Sequence, residues 1–186
     1  HADCDVVVVA LIGERGREVN DFLSTTLGTE GRRKSVVVCA ASDEPPAKRM
    51  LAAQSATAIA EHFRRQGKRV LLLMDSLTRV ARAIREVTLC LGELPVRHGY
   101  TPSVFTELPR LLERTGTDRV ESITAIYTLL SPEESEHDPL TEEVISLLDG
   151  HIQMTHKMVL RGVRPAIDPT RSLSRLTTVL RSADEQ

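Results

Sequence analysis

The sequence predicts an α/β fold: a mainly parallel sheet with helices on both faces. Three observations carry this. Short apolar runs without polar alternation recur at 6–12, 35–42, 69–74 and 122–130, as expected of strands covered on both sides. Longer segments with helical character lie between them, and such alternation marks parallel strands joined by helical crossovers. Two of the runs lead directly into acids, Glu14 and Asp75, at the carboxyl edge where open parallel sheets bind ligands.

The elements follow in order. Val6 to Ile12 is a β-branched run that stops at Gly13, hence a strand. A helix is predicted over 16–26, with Val19, Phe22 and Leu23 on one face. "SVVVCAAS" (35–42) is the second strand, and Asp43-Glu44-Pro45-Pro46 is a loop and helix start. The alanine-rich stretch 47–65 reads as a long helix closed by Gln66-Gly67. "RVLLLM" (69–74) follows as the third strand, then a helix from Leu77 to about Gly92. "ELPVRHGYTP" (93–102) is a loop, with two prolines and a glycine. "SVFTELPRLLER" is a short helix with an internal proline, and "SITAIYTLL" the fourth strand. "SPEESEHDPLTEE" (131–143) reads as a solvated acidic loop and helix start, with a helix continuing to Leu148. No internal repeat or low-complexity segment is visible.

The totals narrow the function. A chain of 186 residues with 41% apolar and 27% charged residues has the make-up of one ordinary globular domain. Aromatic residues are 3% and the net charge is −2, which argues against base-stacking platforms and a strong nucleic-acid footprint. Cys4, Cys39 and Cys90 are scattered and read as reduced core thiols, with no disulfide or metal spacing. The longest apolar runs are too short to span a bilayer.

Asp75 is the kind of acid that nucleotide-binding proteins use to hold Mg²⁺ and its waters. A phosphate-binding G-x-x-x-x-G-K-[ST] should accompany it, yet none of Lys34, Lys48, Lys68 and Lys157 sits in that pattern. Glu14 can accept a hydrogen bond from a water and orient it for attack on a phosphoryl group; its plain alternative is a helix-capping acid. Arg15 and Arg17 add charge beside it. Arg79, one helical turn after Asp75, can face the same edge or form an ordinary surface pair. Arg175, in "RPAIDPTRSLSR", lies in a polar stretch suited to reaching outward.

Together these segments resemble one family. "ALIGERGREV", "RVLLLMDSLTRVARAIREV", "GYTPSVFTELPRLLERTG", "SITAIYTLL", "LLDGHI" and "PAIDPTRSLSR" occur in the order seen in the ATPases of type III secretion and flagellar export. Those are relatives of the catalytic subunit of rotary ATP synthases and of the terminator Rho. The resemblance runs from about Val6 to Leu176. It implies a RecA-like doubly wound fold, and that residues 1–186 are a partial ATPase domain: the Walker B half, without the N-terminal barrel, the Walker A loop and most of the C-terminal helical domain.

By the same resemblance, Glu14 is similar to the carboxylate that polarises the attacking water, and Arg15 to the arginine near the terminal phosphate. Asp75 corresponds to the acid that holds Mg²⁺ through water, and Arg79 to a basic residue facing the released phosphate. Arg175 resembles the finger that enters the next subunit's site. Arg164 stands where the family has an aromatic residue near the adenine, and a guanidinium can also stack on a base. The implied ligands are ATP and Mg²⁺. The implied partners are identical subunits in a cytoplasmic ring peripheral to the inner membrane, a central stalk, export chaperones and substrates, with no nucleic acid. The loop at 92–105 corresponds to one that lines the ring's central opening. The alternatives are a non-catalytic paralogue or assembly fragment, and an RNA-translocating relative of Rho, which the low aromatic content disfavours.

Overall fold

The computed structural model describes residues 3–117, 121–131 and 138–177. The chain divides into two compact units, His1–Thr141 and Glu142–Gln186.

The first unit is built on β1 (Val6–Ile12), β2 (Ser35–Ala40), β3 (Val70–Asp75), β4 (Gly116–Thr117) and β5 (Ser122–Tyr127), in the spatial order β2-β1-β3-β5-β4. The four longer strands are parallel, and among the described residues of this sheet β4 alone runs antiparallel to its neighbour. The register sets Leu11 opposite Asp75, and Met74 opposite Tyr127. The ends of β1, β3 and β5 therefore meet at one carboxyl edge.

Strand alternation sends successive residues to opposite faces. On one face Val9 and Leu11 pack with Val19, Phe22 and Leu23. These belong to α1 (Gly16–Asp21) and the π-helical turn Phe22–Leu27 that extends it. On the other face Val8, Ala10, Ile12, Val70, Leu72 and Met74 are almost fully buried. Long α3 (Pro46–Arg65) covers that side. Its inner residues Ala52, Ala53, Ala56 and Ala60 are buried, and their small size lets the helix approach both the sheet and α4 (Leu77–Cys90). The Arg49 guanidinium reaches Glu86 at 2.8 Å and ties these two helices together. Short α5 (Val104–Leu112) tolerates Pro109 while burying Val104, Leu108, Leu111 and Leu112. Arg114 beyond it grips both carboxylate oxygens of Glu61 at 2.8 Å.

Three expectations change. The predicted helix over 16–26 does not stop there: after the π-helical turn the chain forms α2 (Gly28–Arg33). Gly28 and Gly31 are poor helix formers, so local sequence argued against it. The Arg32 guanidinium compensates by donating twice to the Leu23 carbonyl, at 3.0 and 2.7 Å. The strand predicted over 122–130 ends at Tyr127, because Thr128 and Leu130 bond to the β3–α4 junction instead. The cysteines are not all in the core: Cys39 and Cys90 are exposed. Of the acidic stretch, 132–137 lie outside the described residues; Asp138 caps α6 (Pro139–Leu147), accepting from the Thr141 amide and hydroxyl.

In the second unit β6 (Gly150–His151) pairs antiparallel with β7 (Leu173–Ser174), and α7 (His156–Leu160) lies between them in sequence. Gly150 is required by close approach, since a Cβ there would sit 2.6 Å from the Leu173 carbonyl oxygen. Sequence reading did not foresee this ribbon, whose strands have two residues each. Among the described residues no helix is long and apolar enough to cross a membrane.

Candidate active site

Glu14 follows β1 by two residues. Gly13 between them has φ of 75°, a conformation that favours glycine. The turn is pinned on both sides: the Gly13 amide donates to Ala40 at 2.7 Å, and the Ser42 amide to the Glu14 carbonyl at 3.0 Å. Glu14 is not the cap of α1. That position belongs to Arg15, whose amide donates to Glu18 at 3.4 Å, so the helix-capping explanation for Glu14 fails.

Asp75 ends β3, and the fully buried Ser76 starts α4. The Arg79 amide donates to the Ser76 hydroxyl at 3.4 Å. The Asp75 carboxylate accepts from the Thr128 hydroxyl at 2.5 Å.

These residues converge. Glu14 and Asp75 line one small cleft of about 110 Å³, together with Leu11, Glu18, Val19 and Phe22. Burial, then the Asp75 charge, push the Glu14 carboxyl above its ordinary value, and the Arg79 charge opposes them. The Arg79 side chain crosses directly over Gly13, where a Cβ would come within 3.1–3.2 Å of it. Glycine thus serves both the turn and the arginine's path. The Arg79 Nε is buried and has no hydrogen-bond partner among the described residues. A buried guanidinium nitrogen left unpaired is costly. Arg15 is exposed at the rim and pairs with Glu18 at 3.8 Å.

Arg164 and Arg175 belong to the second unit. Arg164 is exposed and precedes Pro165. Arg175 is exposed, its amide donating to the Asp149 carbonyl at 2.7 Å and its guanidinium to the Ile145 carbonyl at 3.4 Å. The loop before it is tightly organised. Buried Asp168 accepts from the Thr170 hydroxyl at 2.6 Å and amide at 3.0 Å, and the hydroxyl bond first of all holds its carboxyl below the usual range. Ser172 donates to the Asp168 carbonyl at 2.7 Å and accepts from the Gln153 amide at 3.0 Å. The backbone carrying Arg175 is therefore fixed while its side chain reaches outward.

Two carboxylates offering hard oxygens, with the Arg79 charge near enough to act on Glu14, fit a divalent cation and a phosphate group. No group of three or more His, Cys, Asp or Glu side chains forms a metal cage among the described residues. Mg²⁺ keeps several of its waters when it binds to one or two carboxylates. Sequence reasoning missed Thr128, because its contact depends on the β3–β5 register and no local pattern signals it.

Known proteins resemble the chain over most of its length. The ATP synthase alpha/beta family, nucleotide-binding domain, matches residues 1–174. The type 3 secretion system ATPase of Xanthomonas euvesicatoria is 54% identical over 173 residues, 93% of this chain and 39% of that protein. The flagellum-specific ATP synthase of Treponema pallidum is 52% identical over 184 residues, 99% of this chain and 41% of that protein. The chain thus spans about 40% of the length of the curated relatives it matches. A solved prototypical ATPase from the type III secretion system of pathogenic bacteria superposes with a TM-score of 0.93 at 51% identity, covering 98% of this chain and 53% of that one. The assembled ATPase EscN of enteropathogenic E. coli, solved with its central stalk EscO, gives 0.89 at 50% identity, covering 98% and 43%.

Proposed function

The chain belongs to the ATP synthase alpha/beta family, in its nucleotide-binding domain, and from that premise we propose that it is part of an ATPase energising protein export. The export route is a type III secretion or flagellar apparatus. The active enzyme is a cytoplasmic ring of identical subunits, peripheral to the inner membrane, with sites between subunits, a central stalk, and export chaperones and substrates as partners. The 186 residues form the Walker B half of the catalytic domain. One observation carries the reading: Glu14, Asp75 and Arg79 gather at the carboxyl edge of the parallel sheet, with Glu14 raised by burial and by Asp75.

The roles follow from the chemistry of each group. Glu14 accepts a proton from the attacking water and orients it. Asp75 would hold a hydrated Mg²⁺, which would neutralise phosphate charge when bound. Arg79 faces the released phosphate, and Arg15, exposed at the rim, lies close to the terminal phosphate. Arg164 borders the adenine. Arg175 completes the site of the neighbouring subunit, where a permanent charge and a planar fork match phosphate oxygens.

The 186-residue chain alone is expected to hydrolyse ATP negligibly. It contains no G-x-x-x-x-G-K-[ST], and the backbone donors and lysine of such a loop supply most contacts to the β- and γ-phosphates. A phosphate-release assay at saturating Mg-ATP checks this; turnover like that of an intact export ATPase would refute it.

A second expected result concerns the stalk. Leu91, Leu94 and Val96 are 81%, 78% and 61% exposed, a concentration of apolar surface with an ordered turn beside it. That turn spans 97–100, with Tyr100 donating to the Arg97 carbonyl and Val96 to that of Tyr100, both at 2.8 Å. The Arg97 guanidinium rests 5.6 Å from the centre of the Phe105 ring. In the full-length protein Arg97→Glu loses this contact and reverses the charge, and should weaken stalk affinity about tenfold while leaving basal hydrolysis near wild type. Stalk affinity and basal rate are measured on one preparation. Unchanged affinity, or a basal rate falling in step, would make the turn a mere connector or part of the active site.

A further inference from the structure

Thr128 lies immediately past β5, and its backbone is locked to the turn that carries Asp75. Its amide donates to the Met74 carbonyl at 3.0 Å, and its carbonyl accepts from the Leu77 amide at 2.9 Å. Two residues on, the Leu130 amide donates to the Thr78 hydroxyl at 2.8 Å. The chain after β5 is thus fastened across the β3–α4 junction, independently of the Thr128 side chain. With the backbone so held, the hydroxyl falls on Asp75 Oδ1 at 2.5 Å.

That bond has a specific effect. A hydroxyl donating to a carboxylate forms a short, charge-assisted bond and fixes rotation of the carboxylate, which its own side chain leaves free. It occupies Oδ1, and among the described residues no other side-chain hydrogen bond engages the Asp75 carboxylate. Oδ2 remains to accept from a water on a hydrated cation.

We propose that Thr128 is a positioning residue for Asp75, setting the carboxylate so that one oxygen is presented to hydrated Mg²⁺. This rests on the proposed role of Asp75. A partner that orients a metal-holding group acts on metal affinity without touching the metal. Removing it should raise the demand for magnesium and spare the rest of nucleotide binding. A hydroxyl that only finishes a turn would have no such selectivity.

The test uses the full-length protein with Thr128→Val, which keeps the branched shape, and Thr128→Ser, which keeps the hydroxyl. Affinity for a fluorescent ADP is measured with EDTA and with Mg²⁺, and hydrolysis is titrated with Mg²⁺. Thr128→Val is expected to raise the Mg²⁺ concentration for half-maximal hydrolysis about tenfold and leave affinity in EDTA unchanged, while Thr128→Ser stays within about twofold of wild type. A valine variant with an unchanged magnesium requirement overturns the inference. So does one that loses ADP affinity equally with and without Mg²⁺, because the residue is then structural. If wild type itself shows no magnesium-dependent nucleotide binding, the role of Asp75 falls first and this inference with it. Magnesium-dependent binding in wild type that the valine variant reproduces overturns this inference alone.

Discussion

Glu14→Gln in the full-length protein is expected to lower ATP turnover by about 10²- to 10⁴-fold, the contribution of a positioned general base, while nucleotide affinity stays largely intact. The amide keeps the size of the carboxylate and its place after β1, since the backbone bonds to Ala40 and Ser42 hold the turn. It is a poor proton acceptor. A second readout follows from the raised carboxyl of Glu14. A carboxyl whose folded pKa lies above its unfolded value binds its proton more tightly when folded. Its ionised form therefore costs stability at neutral pH, and the cost disappears below the ordinary value of 4.5. Glu14→Gln should consequently melt at the same temperature as wild type or higher at pH 7, with the gain vanishing in acid. A side chain that costs stability while catalysis needs it is the signature of a functional position. Loss of nucleotide affinity in step with turnover would instead make Glu14 a binding residue.

The fold was legible in the sequence wherever burial on both faces left an unbroken apolar run. The predicted strand over 6–12 matches β1 residue for residue, and the long helix differs by one residue at its start. Legibility failed where tertiary bonds override local preference. Gly28 and Gly31 argue against a helix, yet Arg32 completes the turn before them and α2 forms. Leu129 and Leu130 extend an apolar run, yet the β3–α4 junction offers Thr128 and Leu130 better partners than a sheet neighbour does. The candidate site divides the same way. Glu14 and Asp75 were visible because each follows a buried strand, and parallel strands must end on a common edge. The path of Arg79 over Gly13, the unpaired Nε and the Thr128 bond depend on spacing between strands. Nothing local encodes that spacing.

Arg175→Ala should lower hydrolysis by about 10³-fold or more, the scale set by arginines that stabilise charge on a transferring phosphoryl group, and through the neighbour's site, not its own. The argument starts from the loop. Asp168, Thr170 and Ser172 bond among themselves and to Gln153, so the backbone reaches Arg175 already ordered. Among the described residues the guanidinium makes one long bond, 3.4 Å to the Ile145 carbonyl, which binding to a phosphate would readily replace. Removing the side chain should therefore leave folding and ring assembly intact. Mixing separates the two routes. A ring combining Arg175→Ala with Glu14→Gln subunits contains some interfaces that pair an intact Glu14 with a neighbour's intact Arg175. If the arginine acts in trans, those interfaces regain activity, in proportion to their frequency as the mixing ratio is varied. If it acts in cis, each subunit carries one defect in its own site, and every ratio stays inactive. Activity that recovers with mixing, with assembly confirmed by sedimentation, assigns Arg175 to the neighbouring subunit's phosphates; assembled rings that remain inactive return it to its own subunit.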